Sequence, residues 1–152
     1  MTSFIPSGNP NTNNSTIEND GFFPDIDLDD IRNRTGLTDI FTDMQIATAT
    51  RDAMIETNAV LSQWRTSQVA DRLADVPCAT YGDTPEKVHL YLTAISARVR
   101  SFMVDTTRDY DSTKSGHDRA DALEATSDRW LQAWNEALSR LMARKRTVVE
   151  LI

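Results

Sequence analysis

Glu86 and His89 stand three residues apart at what should be a helix start, a spacing that sets a carboxylate and an imidazole on one face as in di-iron helical bundles. A complete site of that kind needs a second such pair and two further glutamates. The other histidine, His117, has Lys114 three residues before it, so the second half is missing. In a first helical turn Glu86 has the simpler role of complementing the helix dipole. Asp25, Asp27 and Asp29 can be tried as the first, third and fifth ligands of a calcium loop, but Asp30 stands where the turn needs Gly and Gly36 where it needs a bidentate Glu. The run from Asp109 fails likewise, with Lys114 and Ala120 at those places. Cys78 is the single cysteine, and with no base beside it in sequence it reads as a small buried residue rather than a nucleophile. No phosphate-cradling Gly loop or nucleophile elbow is present. The expectation is a protein that is not an enzyme and takes no metal or cofactor.

The remaining group with chemical potential is basic: Arg140, Arg144, Lys145 and Arg146. Cations gather at helix C-termini because the dipole favours them there, and the same group could dock an acidic partner or face DNA. The chain as a whole carries a formal charge of −7 over 152 residues, which argues against free-standing nucleic-acid binding, where phosphate contacts supply most of the affinity. One cysteine, no signal peptide and no apolar run of membrane-spanning length place the chain in a reducing cytosol and away from membranes.

These groups must be carried by helices. Thr42 and Gln45 form a capping box opening a helix over 42–69, with Ile46, Ala49, Ala53, Thr57, Val60 and Trp64 as its apolar stripe, broadened by Met54 and Leu61. Thr84 and Pro85 read as N-cap and first helical residue of a helix over 84–109, whose stripe is Val88, Leu92, Ile95, Val99 and Phe102. A third helix over 118–143 carries Ala120, Leu123, Ser127, Trp130, Trp134, Leu138 and Leu141, and its tryptophans are expected to be the largest buried rings. Asp27 caps a short helix over 28–34 that Gly36 ends. The architecture expected is all-α: a small antiparallel helical bundle, residues 21–146, with extended arms at both ends.

The arms differ in character. Residues 1–20 are Ser, Asn, Thr, Pro and Gly with little to bury, so a disordered or draped arm is expected. Residues 147–152 are Thr-Val-Val-Glu-Leu-Ile, apolar and β-prone, and follow the last helix with no confident strand to join. Such an edge-seeking segment is an aggregation risk unless a partner covers it. Phe22 and Phe23 are expected as core or interface. The candidate partner-binding set is therefore Phe22, Phe23, Arg144, Lys145, Arg146, Thr147, Val148, Val149, Leu151 and Ile152. Three functional classes fit: a structural adaptor, a helical regulatory module binding a protein partner, and a bundle enzyme with a carboxylate metal site.

The peptides Gly21-Phe22-Phe23-Pro24-Asp25-Ile26-Asp27, Glu56-Thr57-Asn58-Ala59, Leu73-Ala74-Asp75-Val76-Pro77, Arg119-Ala120-Asp121 and Arg146-Thr147-Val148-Val149-Glu150-Leu151-Ile152 occur in this order. Together they resemble the head completion/stabilisation proteins of peduovirus-type contractile-tailed phages, the phage GPL family, from about Phe22 to Ile152. The resemblance implies a virion neck component, assembled in the host cytoplasm, that forms a ring beneath the portal after DNA packaging. It implies as partners the portal protein, further copies of itself in a ring of twelvefold order to match the portal, and a tail-side neck protein. DNA would pass through the channel without specific binding, which suits an acidic chain.

Overall fold

The computed structural model describes residues 15–37, 41–110 and 117–144. Three long helices form its frame: α2 (Asp43–Thr66), α3 (Glu86–Tyr110) and α4 (His117–Leu141), preceded by the short α1 (Leu28–Thr35). Glu56 meets Arg98 and Asn58 meets Tyr91, so α2 and α3 run antiparallel. Ser101 meets Ser127 and Lys87 meets Leu141, so α3 and α4 do too. The middle helix α3 packs most extensively on α4 and also on α2 and α1.

Local chemistry sets the boundaries. Thr42 Oγ1 accepts from the Gln45 amide at 3.2 Å and Gln45 Oε1 accepts from the Thr42 amide at 2.9 Å, the reciprocal capping box expected at the start of α2. Asp27 accepts from the Asp29 amide at 2.9 Å to open α1, and Gly36 closes it in the left-handed region at φ 62°.

Two departures from the sequence reading concern strands. Thr16–Ile17 (β1) pairs antiparallel with Ile26–Asp27 (β2), and Thr80–Tyr81 (β3) pairs antiparallel with Thr84–Pro85 (β4). The description all-α is thus approximate: the protein is mostly helical with two minimal sheets. The second sheet also displaces the expected cap of α3. Thr84 and Pro85 lie in β4, the helix begins at Glu86, and the Glu86 amide donates to the Ala79 carbonyl at 2.9 Å. Gly82, at φ 59°, allows the two-residue turn between these strands. Pro85 is tolerated because it falls at the end of a very short strand.

The core is built from Ile46, Ala53, Leu61, Ile95, Val99, Leu138 and Leu141, each nearly or wholly buried, as the stripes predict. Its fully buried aromatic ring is Tyr91, whereas Trp130 and Trp134 are half-buried and do not fill the centre. Val60, expected on the inner stripe of α2, is 44% exposed. The buried hydroxyls are bonded. Thr50 Oγ1 donates to the Ile46 carbonyl at 2.7 Å, and Ser101 and Ser127 meet at 3.3 Å where α3 crosses α4. Small hydroxyls let two helices approach closely while leaving no polar atom orphaned.

Candidate functional site

Polar side chains clasp one end of the bundle. Asn19 Nδ2 donates to the Tyr91 hydroxyl at 2.9 Å, the hydroxyl donates to Asn58 Oδ1 at 2.8 Å, and Asn58 Nδ2 donates to Asn19 Oδ1 at 3.0 Å. The three bonds close a ring that ties the segment before β2 to α2 and α3. Burial pushes the Tyr91 phenol well above its ordinary pKa, so it remains a neutral donor. The Asp20 carboxylate accepts from the Phe22 and Phe23 amides, both at 3.1 Å, and pairs with Arg65. This turn drives the phenylalanine rings inward. Phe23 stacks on Tyr91 at 4.7 Å between centroids, and the Arg65 guanidinium lies 5.0 Å from the Phe22 ring.

The clasp reaches the end of the last helix. Phe22 packs edge-on against Trp64, Lys87 sits 5.3 Å over the Trp64 ring, and Lys87 Nζ donates to the Leu141 carbonyl at 2.7 Å. One of the orphan carbonyls at the C-terminus of α4 is thereby satisfied by a cation from α3. The helix stops in a Schellman turn: Ala143 donates to Arg140 at 3.0 Å and Arg144 to Ser139 at 2.9 Å, with Ala143 at φ 53°. Arg144 leaves this turn exposed.

The expected partner-binding residues therefore separate. Phe22 and Phe23 take the core role, at 5% and 3% exposure. Arg144 lies at the surface of the same end of the bundle, brought there by Trp64, Lys87 and Leu141. Lys145, Arg146, Thr147, Val148, Val149, Leu151 and Ile152 lie outside the described residues.

A second polar cluster braces the helices at mid-height. Arg98 makes a two-pronged contact with Glu56 and lies 4.0 Å from the Phe102 ring and 5.6 Å from Trp134. Trp134 Nε1 donates to the buried Thr57 hydroxyl at 3.0 Å. Arg100 donates to the Thr35 carbonyl at 2.8 Å at the end of α1, over Trp130. These contacts hold helices in register, and none presents a nucleophile or a base to solvent.

The chemically suggestive residues stay apart. His89 is exposed, Glu86 and Cys78 are half-buried, and among the described residues no three His, Cys, Asp or Glu side chains gather where a metal could bind. Among the described residues no helix is long and apolar enough to cross a membrane. Sequence reasoning missed Asn19 and Tyr91. Asn19 lay inside a segment too polar to suggest packing, and no local pattern signals a partner 72 residues away.

Residues 17–152 match the family described as phage head completion protein (GPL). The chain belongs to that family. It is similar to the head completion/stabilization protein of Escherichia phage P2, 31% identical over 139 residues that cover 90% of this chain and 82% of that one. No solved structure matches. The family is one of structural head completion proteins rather than of enzymes. The GPL match starts at residue 17, earlier than the resemblance beginning at Phe22, so it takes in Asn19 and Asp20. The family match therefore takes in the whole clasp.

Proposed function

We propose that this head completion protein forms a ring beneath the portal of the filled head, keeps the packaged DNA in, and gives the tail its platform. The observation that carries the reading is the extent of the family match, which runs through residue 152 and so includes the basic and apolar C-terminal segment. A subunit of a ring needs a rigid body and a feature that engages a neighbour. The clasped bundle is the body. Arg144, Lys145, Arg146 and the apolar residues of 147–152 are the engaging feature, while Phe22 and Phe23 act from inside, stiffening the end from which that segment departs. The partners are the portal, further copies of this chain in a ring matched to the portal's twelvefold order, and a tail-side neck protein. A net charge of −7 suits a channel that lets DNA leave without gripping it.

The test is complementation. Heads filled without this protein are expected to lose DNA and to fail to join tails. Adding the purified chain should restore both, with a ring of density under the portal in averaged electron micrographs. Restoration without density at the neck would contradict the proposed position.

A further inference from the structure

At the end of the bundle opposite the clasp, the first turns of α2 and the last described turns of α3 splay around a groove with an open volume of about 620 Å³. Its floor is apolar, with Ala49, Phe102 and Met103, and Met44 stands at its edge 79% exposed. Asp52 and Asp105 line it, both exposed, and neither makes an ion pair with any described residue. Among the described residues, no basic side chain lines it. Met44 also borders an adjoining depression of mixed charge, lined by Asp29, Asp43 and Arg51, in which Asp43 pairs with Arg32.

A segment matching this surface needs cations followed by apolar side chains, and Arg144-Lys145-Arg146 followed by Thr147-Val148-Val149-Glu150-Leu151-Ile152 has that order. Geometry decides whose segment it is. The Lys87–Leu141 contact fixes the end of α4 beside the first turn of α3, while the groove begins at Phe102, about 22 Å further along that helix at 1.5 Å per residue. Residues 145–152 span at most about 27 Å fully extended. Docking within one chain would use nearly all of that length to arrive, leaving the apolar residues no length with which to fill the groove.

We infer that the groove receives the C-terminal segment, residues 144–152, of a neighbouring copy. The inference rests on the ring proposed above and names its intersubunit contact. Donor and acceptor surfaces lie at opposite ends of the subunit, so the contact is heterologous and closes into a ring when repeated about an axis. The apolar side chains would cover Met44, Phe102 and Met103, and the basic residues would face Asp52 and Asp105.

Cross-linking in filled heads tests this with the full chain. In a Cys78→Ser background, Met44→Cys and Val149→Cys are combined, the chain is incorporated, and a short bismaleimide is added. A ladder of covalent multimers of this chain is expected. Links only within single chains, or only to the portal, overturn the inference while leaving the head completion reading intact. Absence of the unaltered chain from filled heads overturns both. A charge exchange gives a second readout: Asp52→Lys with Asp105→Lys should lower incorporation about tenfold. Arg144→Glu, Lys145→Glu and Arg146→Glu in that same chain should restore it, and no restoration overturns the inference.

Discussion

Tyr91 concentrates the strongest residue-level constraint, because its ring is wholly buried against Phe23 and its hydroxyl closes the bond ring with Asn19 and Asn58. Tyr91→Phe keeps the stacking but removes the acceptor of one Asn19 Nδ2 bond and the donor to Asn58 Oδ1, and should cost about 1–3 kcal/mol in urea unfolding. The same residue gives a pH dependence. Its folded pKa is raised above the ordinary value near 10, so its contribution is fully present below pH 10 and is lost as the pH rises further and the unfolded state ionises first. The alkaline loss of stability should be shallower in Tyr91→Phe, and equal slopes would show that the phenol ionises alike in both states. Trp134 is half-buried, so Trp134→Ala should cost about 2 kcal/mol, below the roughly 3–5 kcal/mol of a fully buried ring. Exchanging Glu86 and His89 together for Gln should leave head assembly at its normal level. A specific loss of assembly with the fold intact would revive a metal or catalytic role for that pair.

Helix existence and the two cap pairs at α1 and α2 were legible because they depend on neighbours within four residues: Asp27 with Asp29, Thr42 with Gln45, Gly36 with Arg32. Which face each helix buries was less legible. The stripe on α3 named Val88, Leu92 and Phe102, which are half-buried, and passed over Tyr91, because α3 is covered on more than one side and its buried arc is wider than a single stripe. Val60 lies on the stripe of α2 yet emerges into solvent, since periodicity gives a direction and not the extent of the neighbour. The strands escaped because two-residue pairings carry no alternation to detect. Of the candidate interface, the basic end of α4 was readable from local charge, but the clasp beneath it depends on contacts between residues far apart in sequence. The C-terminal turn of α4 offers an element-scale test. Ala143 occupies a left-handed conformation that suits glycine, so Ala143→Gly should stabilise the protein by about 0.5–1 kcal/mol in thermal or urea unfolding. A loss of stability would mean that the alanine methyl contributes more in packing than the strain removes.

For the whole molecule, the proposed division of work is that the braced bundle holds shape and residues 144–152 make the joint. The described core is continuous through Leu61, Ile95, Val99 and Leu141. The most direct measurement compares the full chain with a variant lacking residues 147–152, by circular dichroism and melting of the isolated subunit and by its content in filled heads. The account predicts a nearly unchanged helical signal and melting temperature together with loss of incorporation. An unfolded variant, or one that enters heads at the level of the full chain, would contradict it.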